Sequence, residues 1–238
     1  MNDLFSSVVA PTRFDTRPAL DRQLGGEIAE RLRAALAVRD RASLVVSGGR
    51  TPVGLFKALS RIELDWSRVI ITLADERWVS PDNDDSNERL VRAHLIQNLA
   101  SAARFISLKT SAASAADGAA ECGQRLTELP SQLDVVILGM GEDGHTASFF
   151  PGAETLQQAL DPHCTDNCLA VTPPVAPHDR MTLSLARILR CDQIYLHLCG
   201  DAKLPVLAHA LESGPAEAMP VRAILRQVIT PVAVYWAP

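Results

Sequence analysis

Short runs of β-branched and aliphatic residues recur along this chain, and each stops at a glycine-rich or charged loop. Leu44-Val45-Val46 ends at Ser47-Gly48-Gly49-Arg50-Thr51-Pro52, and Val69 to Ala74 ends at Asp75-Glu76-Arg77-Trp78. Val135 to Leu138 ends at Gly139-Met140-Gly141-Glu142-Asp143-Gly144-His145, and Ile194 to Leu198 ends at Gly200-Asp201-Ala202-Lys203. Apolar runs without polar alternation suit strands buried on both faces, and most of these are followed by a stretch of helical character. The alternation predicts an α/β fold: a doubly wound, mostly parallel sheet with helices on both faces, a Rossmann-like three-layer sandwich. In such a sheet the carboxyl ends of the strands share one rim, and ligands bind there. The four loops are therefore expected to meet, bringing Arg50, Arg77, Lys203 and His145 together.

The remaining pattern fills in this frame. Ser7 to Ala10 is a possible first strand. Leu20, Leu24, Ile28, Leu32 and Leu36 lie four apart and predict a helix over 19–38. Pro52 suits a first helical turn, with helix continuing over 53–59. Ser86 or Asn87 caps a helix running to Leu99. Phe105 to Leu108 predicts a strand, 112–129 a helix, and 133–138 the strand leading to His145. Leu169 to Thr172 and Met181 to Leu185 read as strands, 201–211 and 221–226 as helices, and 230–236 as the last strand. No repeat, linker or low-complexity boundary divides the chain, so residues 1–238 are expected to form a single domain.

Composition narrows the function classes. A chain of 238 residues that is 47% hydrophobic can bury one sizeable core. Its net charge of −5 argues against a nucleic-acid surface. No window approaches ~18 uninterrupted apolar residues, so no membrane span is expected. The first ten residues lack a basic segment followed by an apolar one, so no secretion signal is expected. Five cysteines without a CxxC pair suggest reduced thiols in a cytoplasmic protein. His163, Cys164 and Cys168 lack the second ligand pair of a zinc site, and no metal is expected.

The loops themselves carry the chemistry. Ser47-Gly48-Gly49-Arg50-Thr51 lies between a predicted strand and a helix start. Its glycines let backbone N–H groups converge, the helix start carries partial positive charge, and Thr51 adds a hydroxyl, an arrangement suited to a phosphate or an oxyanion. The spacing is not that of a Walker A loop. Gly139, Gly141 and Gly144 match G-x-G-x-x-G formally. His145-Thr146 follow at once, however, and no ribose-binding acid is evident, so a dinucleotide is not expected. His145 is the residue there whose unperturbed pKa lies near neutrality, a proton-transfer candidate or a hydrogen-bonded structural histidine. Arg50, Arg180 and Lys203 are candidates to neutralise a phosphate, although Lys203 also reads as a solvated helix start. Asp75 and Glu76 either orient sugar hydroxyls or pair with Arg77.

Together, Ser47 to Pro52, Asp75 to Val79 with Asp85-Ser86-Asn87, and Gly139 to Ser148 with Phe150-Pro151 resemble the 6-phosphogluconolactonase family. The resemblance runs in motif order to Arg180-Met181-Thr182 and Gly200-Asp201-Ala202-Lys203. The Ser-Gly-Gly-x-Thr-Pro block is shared with a sister family, the glucosamine-6-phosphate deaminases. Those carry a glutamate five residues after the motif histidine, where this chain has Phe150. They also read Asp-Glu-Tyr where it has Asp75-Glu76-Arg77.

The resemblance implies hydrolysis of 6-phospho-D-glucono-1,5-lactone in the oxidative pentose phosphate pathway, without a cofactor. It implies His145 as general base toward water, with Asp143, or alternatively Glu142, setting the imidazole tautomer. The backbone of Gly48, Gly49 and Gly141, and Arg50, Thr51, Asp75, Glu76, Arg77, Arg180 and Lys203, would hold the phosphosugar lactone. Ser47 and Ser148 do not sit in a G-x-S-x-G elbow, which disfavours a covalent route. A monomer or weak homodimer is expected. The alternatives are deaminase chemistry and a sugar-phosphate sensor domain; only about 18 residues precede the first predicted helix, too few for a helix-turn-helix module.

Overall fold

A computed structural model describes residues 10–238. In chain order its strands are β1 (Thr12–Arg13), β2 (Ala42–Val46), β3 (Val69–Leu73), β4 (Asp75–Arg77), β5 (Arg104–Ile106), β6 (Leu133–Leu138), β7 (Cys168–Val171), β8 (Arg180–Leu183), β9 (Cys191–Cys199) and β10 (Val232–Ala237). Seven form one sheet in the order β1-β10-β9-β6-β2-β3-β5, and every pairing in it is parallel. Every residue of β2, β3 and β6 is buried, which is why these strands are mostly apolar, and the polar residues they carry are hydrogen-bonded: Ser43 to Asp134, and Thr72 to the Ile106 carbonyl. The chain leaves β2 toward β3 and β5, then returns to β6 on the other side of β2. That reversal makes the gap between β2 and β6 a topological switch point, where connecting loops part and leave a crevice.

The helices surround this sheet: α1 (Arg17–Val38), α2 (Val53–Leu59), α3 (Asn87–His94), α4 (Ala115–Arg125), α5 (Leu156–Leu160), α6 (Leu185–Leu189), α7 (Lys203–Leu211) and α8 (Val221–Arg226). Thr16 opens α1, its hydroxyl accepting from the Ala19 N–H, with Pro18 in the first turn. The predicted stripe of Leu20, Leu24, Ile28, Leu32 and Leu36 is the buried face of α1, packed toward β2, β6 and β10. Burying a Leu or Ile side chain contributes about 2 kcal/mol, so this stripe is a large part of what seats α1.

Several expectations are corrected. Asp75-Glu76-Arg77 is not a rim loop but strand β4, in a separate antiparallel sheet of order β4-β8-β7. Its charged residues could not continue a strand buried on both faces, so the chain bends at Ala74. The Ala74 carbonyl then accepts from the Leu183 N–H of β8. The run from Met181 leaves strand geometry at Ser184, whose hydroxyl caps α6 by accepting from the Arg187 N–H. α3 stops at His94 rather than Leu99, because Asn98 takes a left-handed φ of 50° and opens a 3₁₀ turn over Asn98–Ala102. α5 lies in a stretch where no helix was expected. The expected strand over Ser7 to Ala10 falls largely outside the described residues; the strand described first, β1, forms one edge of the sheet and β5 the other.

Candidate active site

The tip of β2 is bound to β6 through the Ser47 N–H, which donates to the Ile137 carbonyl. Gly48 follows, and only glycine fits: a Cβ there would come within 1.8 Å of Asn87 Oδ1. Gly49 has φ of 91°, the left-handed region where a side chain is strained. Thr51 and Pro52 complete the turn into α2.

The tip of β6 folds on itself. The Gly141 N–H donates to the His145 carbonyl, and the Gly144 N–H donates to the Gly141 carbonyl. A Cβ on Gly141 would sit 2.2 Å from His145 Nδ1, so the glycine makes room for the imidazole. His145 Nδ1 lies 2.6 Å from Asp143 Oδ1, which also accepts from the His145 backbone N–H at 3.1 Å. The His145 hydrogen bond holds the Asp143 carboxyl below the usual carboxylate range. Phe150 packs against the imidazole at 4.5 Å between ring centres. Among the described residues nothing hydrogen-bonds Nε2. With an ionised Asp143 as acceptor, Nδ1 carries the proton and Nε2 offers a lone pair.

The third tip comes from β3 and β4. Asp75 Oδ2 accepts from the Ser148 hydroxyl at 2.6 Å, and Arg77 Nη1 donates to the Asp85 carbonyl. From β9 and the start of α7 come His197, Leu198, Cys199 and Lys203. These tips enclose a cleft of about 230 Å³ at the switch point.

Of the residues anticipated for this site, Gly48, Gly49, Thr51, Asp75, Arg77, Gly141, His145 and Lys203 line the cleft. Asp143 does not line the cleft itself but contacts His145, which does. Glu76 does not reach the cleft. Its carboxylate is buried and accepts from the backbone N–H groups of Arg77, Asn87 and Glu88 and from the Ser86 hydroxyl. It serves the start of α3, and burial still pushes its pKa up despite those bonds. Arg50 is exposed on the turn and does not line the cleft. Arg180 is buried and does not line the cleft; its guanidinium lies 5.9 Å from the Phe150 ring centre, with Nε and Nη1 unpartnered among the described residues. Burial, and then the charge of Arg77, lower its pKa.

Ser47, Asn87 and His197 also line the cleft but were not anticipated as ligands. The sequence signal for His197 is a polar residue inside the apolar run of β9. Burial draws its pKa down to about 4, so the ring is neutral near pH 7.

An open parallel sheet with two cations, an imidazole held by a carboxylate and two glycine-built turns at its switch point defines an α/β protein shaped to take a small anionic, polar ligand. Residues 15–236 match the model of the glucosamine-6-phosphate isomerase/6-phosphogluconolactonase family, and the chain belongs to that family. It is 45% identical to a 6-phosphogluconolactonase of Rhizobium meliloti, covering 94% of this chain and 97% of that protein. It is 47% identical to one of Pseudomonas aeruginosa, covering 91% and 90% respectively. A crystal structure of a 6-phosphogluconolactonase from Shewanella baltica superposes with a TM-score of 0.95 at 50% identity, covering 98% of this chain and all of that one.

Proposed function

We propose that this chain hydrolyses 6-phospho-D-glucono-1,5-lactone to 6-phosphogluconate, a step of the oxidative pentose phosphate pathway, with His145 as general base. The relatives named above support the substrate. The observation that carries the mechanism is the Asp143–His145 contact inside a cleft that also holds Arg77 and Lys203. Lys203 and Arg77 hold the phosphate as point charge and fork. Nε2 takes a proton from water as its oxygen bonds to the lactone C1. Backbone N–H groups of the glycine turns stabilise the tetrahedral oxyanion. The C1–O5 bond then breaks, and the imidazolium returns its proton to the ring oxygen. Asp143 stabilises the imidazolium between these steps and keeps Nδ1 protonated.

His145→Ala is expected to lower kcat by about 10²–10⁴-fold while leaving KM within about threefold, as removal of a general base does. A variant that keeps wild-type turnover of the lactone refutes the assignment. The sister chemistry, ammonia release from glucosamine 6-phosphate, is expected to be absent. Phe150 places an apolar ring against His145 at the position where that family carries its extra carboxylate.

A further inference from the structure

Asn87 opens α3, and no step of the proposed reaction uses it. Its amide orientation is decided by one neighbour. Nδ2 lies 2.9 Å from the backbone carbonyl oxygen of Asp75, an acceptor only, so the nitrogen faces that oxygen and Oδ1 faces the other way. Oδ1 is buried without a partner among the described residues, on a side chain that lines the cleft. Asn87 is only 2% exposed. Gly48 has no side chain where Oδ1 lies, since a Cβ would overlap it. Ser47 Oγ, one residue earlier on the same turn, is also a buried cleft atom without a partner. A buried acceptor left unpaired is disfavoured, and native structures seldom leave one so unless something else satisfies it.

The chemistry of the atom says what that something is. An amide oxygen accepts hydrogen bonds and donates none, so it repels a phosphate dianion and attracts a hydroxyl. We propose that Asn87 Oδ1 accepts a hydrogen bond from one ring hydroxyl of the phosphosugar lactone, which makes Asn87 a specificity-determining residue. The assignment rests on the lactonase reading. It divides the cleft: Arg77 and Lys203 take the anionic end, and Asn87, beside Gly48, takes the polyol. A site built to bond a hydroxyl rejects the analogue lacking it far more strongly than an apolar pocket rejects a missing methylene.

The test compares kcat/KM for 6-phosphogluconolactone and its 2-, 3- and 4-deoxy counterparts, each generated by oxidising the corresponding deoxyglucose 6-phosphate. Wild-type enzyme is expected to disfavour one deoxy lactone by roughly 30-fold or more. Asn87→Ala is expected to lose rate on the parent lactone and to bring that ratio to within about threefold of unity. Asn87→Asp keeps an acceptor but loses the donor to Asp75, and is expected to retain the discrimination at a lower melting temperature. If Asn87→Ala does not fold, Asn87→Ser, whose shorter side chain withdraws the acceptor, carries the same comparison. Equal losses on all four lactones would assign Asn87 to fold maintenance alone and overturn the proposal. Wild-type enzyme that opens none of the four overturns the lactonase reading itself, and the assignment with it.

Discussion

At the residue scale, burial sets opposite protonation preferences on two neighbouring side chains, with the charge of Arg17 partly opposing it at Asp21. His197 Nε2 lies 3.6 Å from Asp21 Oδ1, and both side chains are largely shielded from water. Burial lowers His197 from 6.5 to about 4 and raises Asp21 from 3.8 to about 6. For His197 the unfolded chain binds the proton more tightly. Its contribution is therefore present above pH 6.5 and lost as pH falls toward 4. For Asp21 the folded chain binds the proton more tightly, so its contribution is present below pH 3.8 and lost as pH rises through 6. Between pH 4 and 6 the two nearly offset. Urea unfolding is expected to show the stability gap between wild type and His197→Asn widening by roughly 2 kcal/mol from pH 4 to 6.5. Asp21→Asn is expected to gain on wild type by a similar amount over pH 4 to 6. Variants that respond in the same direction would contradict the assigned shifts.

At the element scale, Glu76 shows how one carboxylate organises a connection. β4 presents it, and the Ser86 hydroxyl with the backbone N–H groups of Asn87 and Glu88 close on it at the start of α3. Those N–H groups are among the four that a helix start leaves unpaired, and a negative charge there also suits the helix dipole. Glu76→Ala strands buried donors on both elements. It is expected to cost about 2–4 kcal/mol, read as a fall in Tm, and to raise KM because Asn87 and Asp75 lose their seating. A Tm within 1 °C of wild type, on the order of a few tenths of a kcal/mol, would contradict that role. Nothing local to Asp75-Glu76-Arg77 announces this. The partners of Glu76 lie up to twelve positions along the chain, so the residue read equally well as a sugar ligand or a partner of Arg77. By contrast α1 was legible almost to its ends, because its signal, an apolar stripe spaced four residues apart, is local.

At the scale of the whole molecule, the cleft exists because the order in which the chain adds strands reverses between β2 and β6. A ligand held there joins turns from β2, β4, β6 and β9, parts of the chain more than 150 residues apart. Saturating 6-phosphogluconate, the hydrolysis product, is therefore expected to raise Tm. At about 100 times Kd the linkage is worth about 2.7 kcal/mol, or roughly 5–10 °C for a chain of this size. Lys203→Met is expected to remove most of that shift at the same ligand concentration, measured by differential scanning calorimetry. An unchanged shift would place the anion elsewhere. Strand-and-helix alternation, and the parallel sheet it implies, were determined by the sequence alone, since apolar periodicity acts over a few residues, and that sheet is what sets His145 and the 47–51 turn on one rim. The retreat of Arg50, Glu76 and Arg180 from the cleft was decided only by tertiary structure, as were the second sheet and the burial of Asn87 Oδ1, unpartnered among the described residues, in the cleft wall. Whether a polar side chain is consumed or left free depends on partners that folding brings from distant positions.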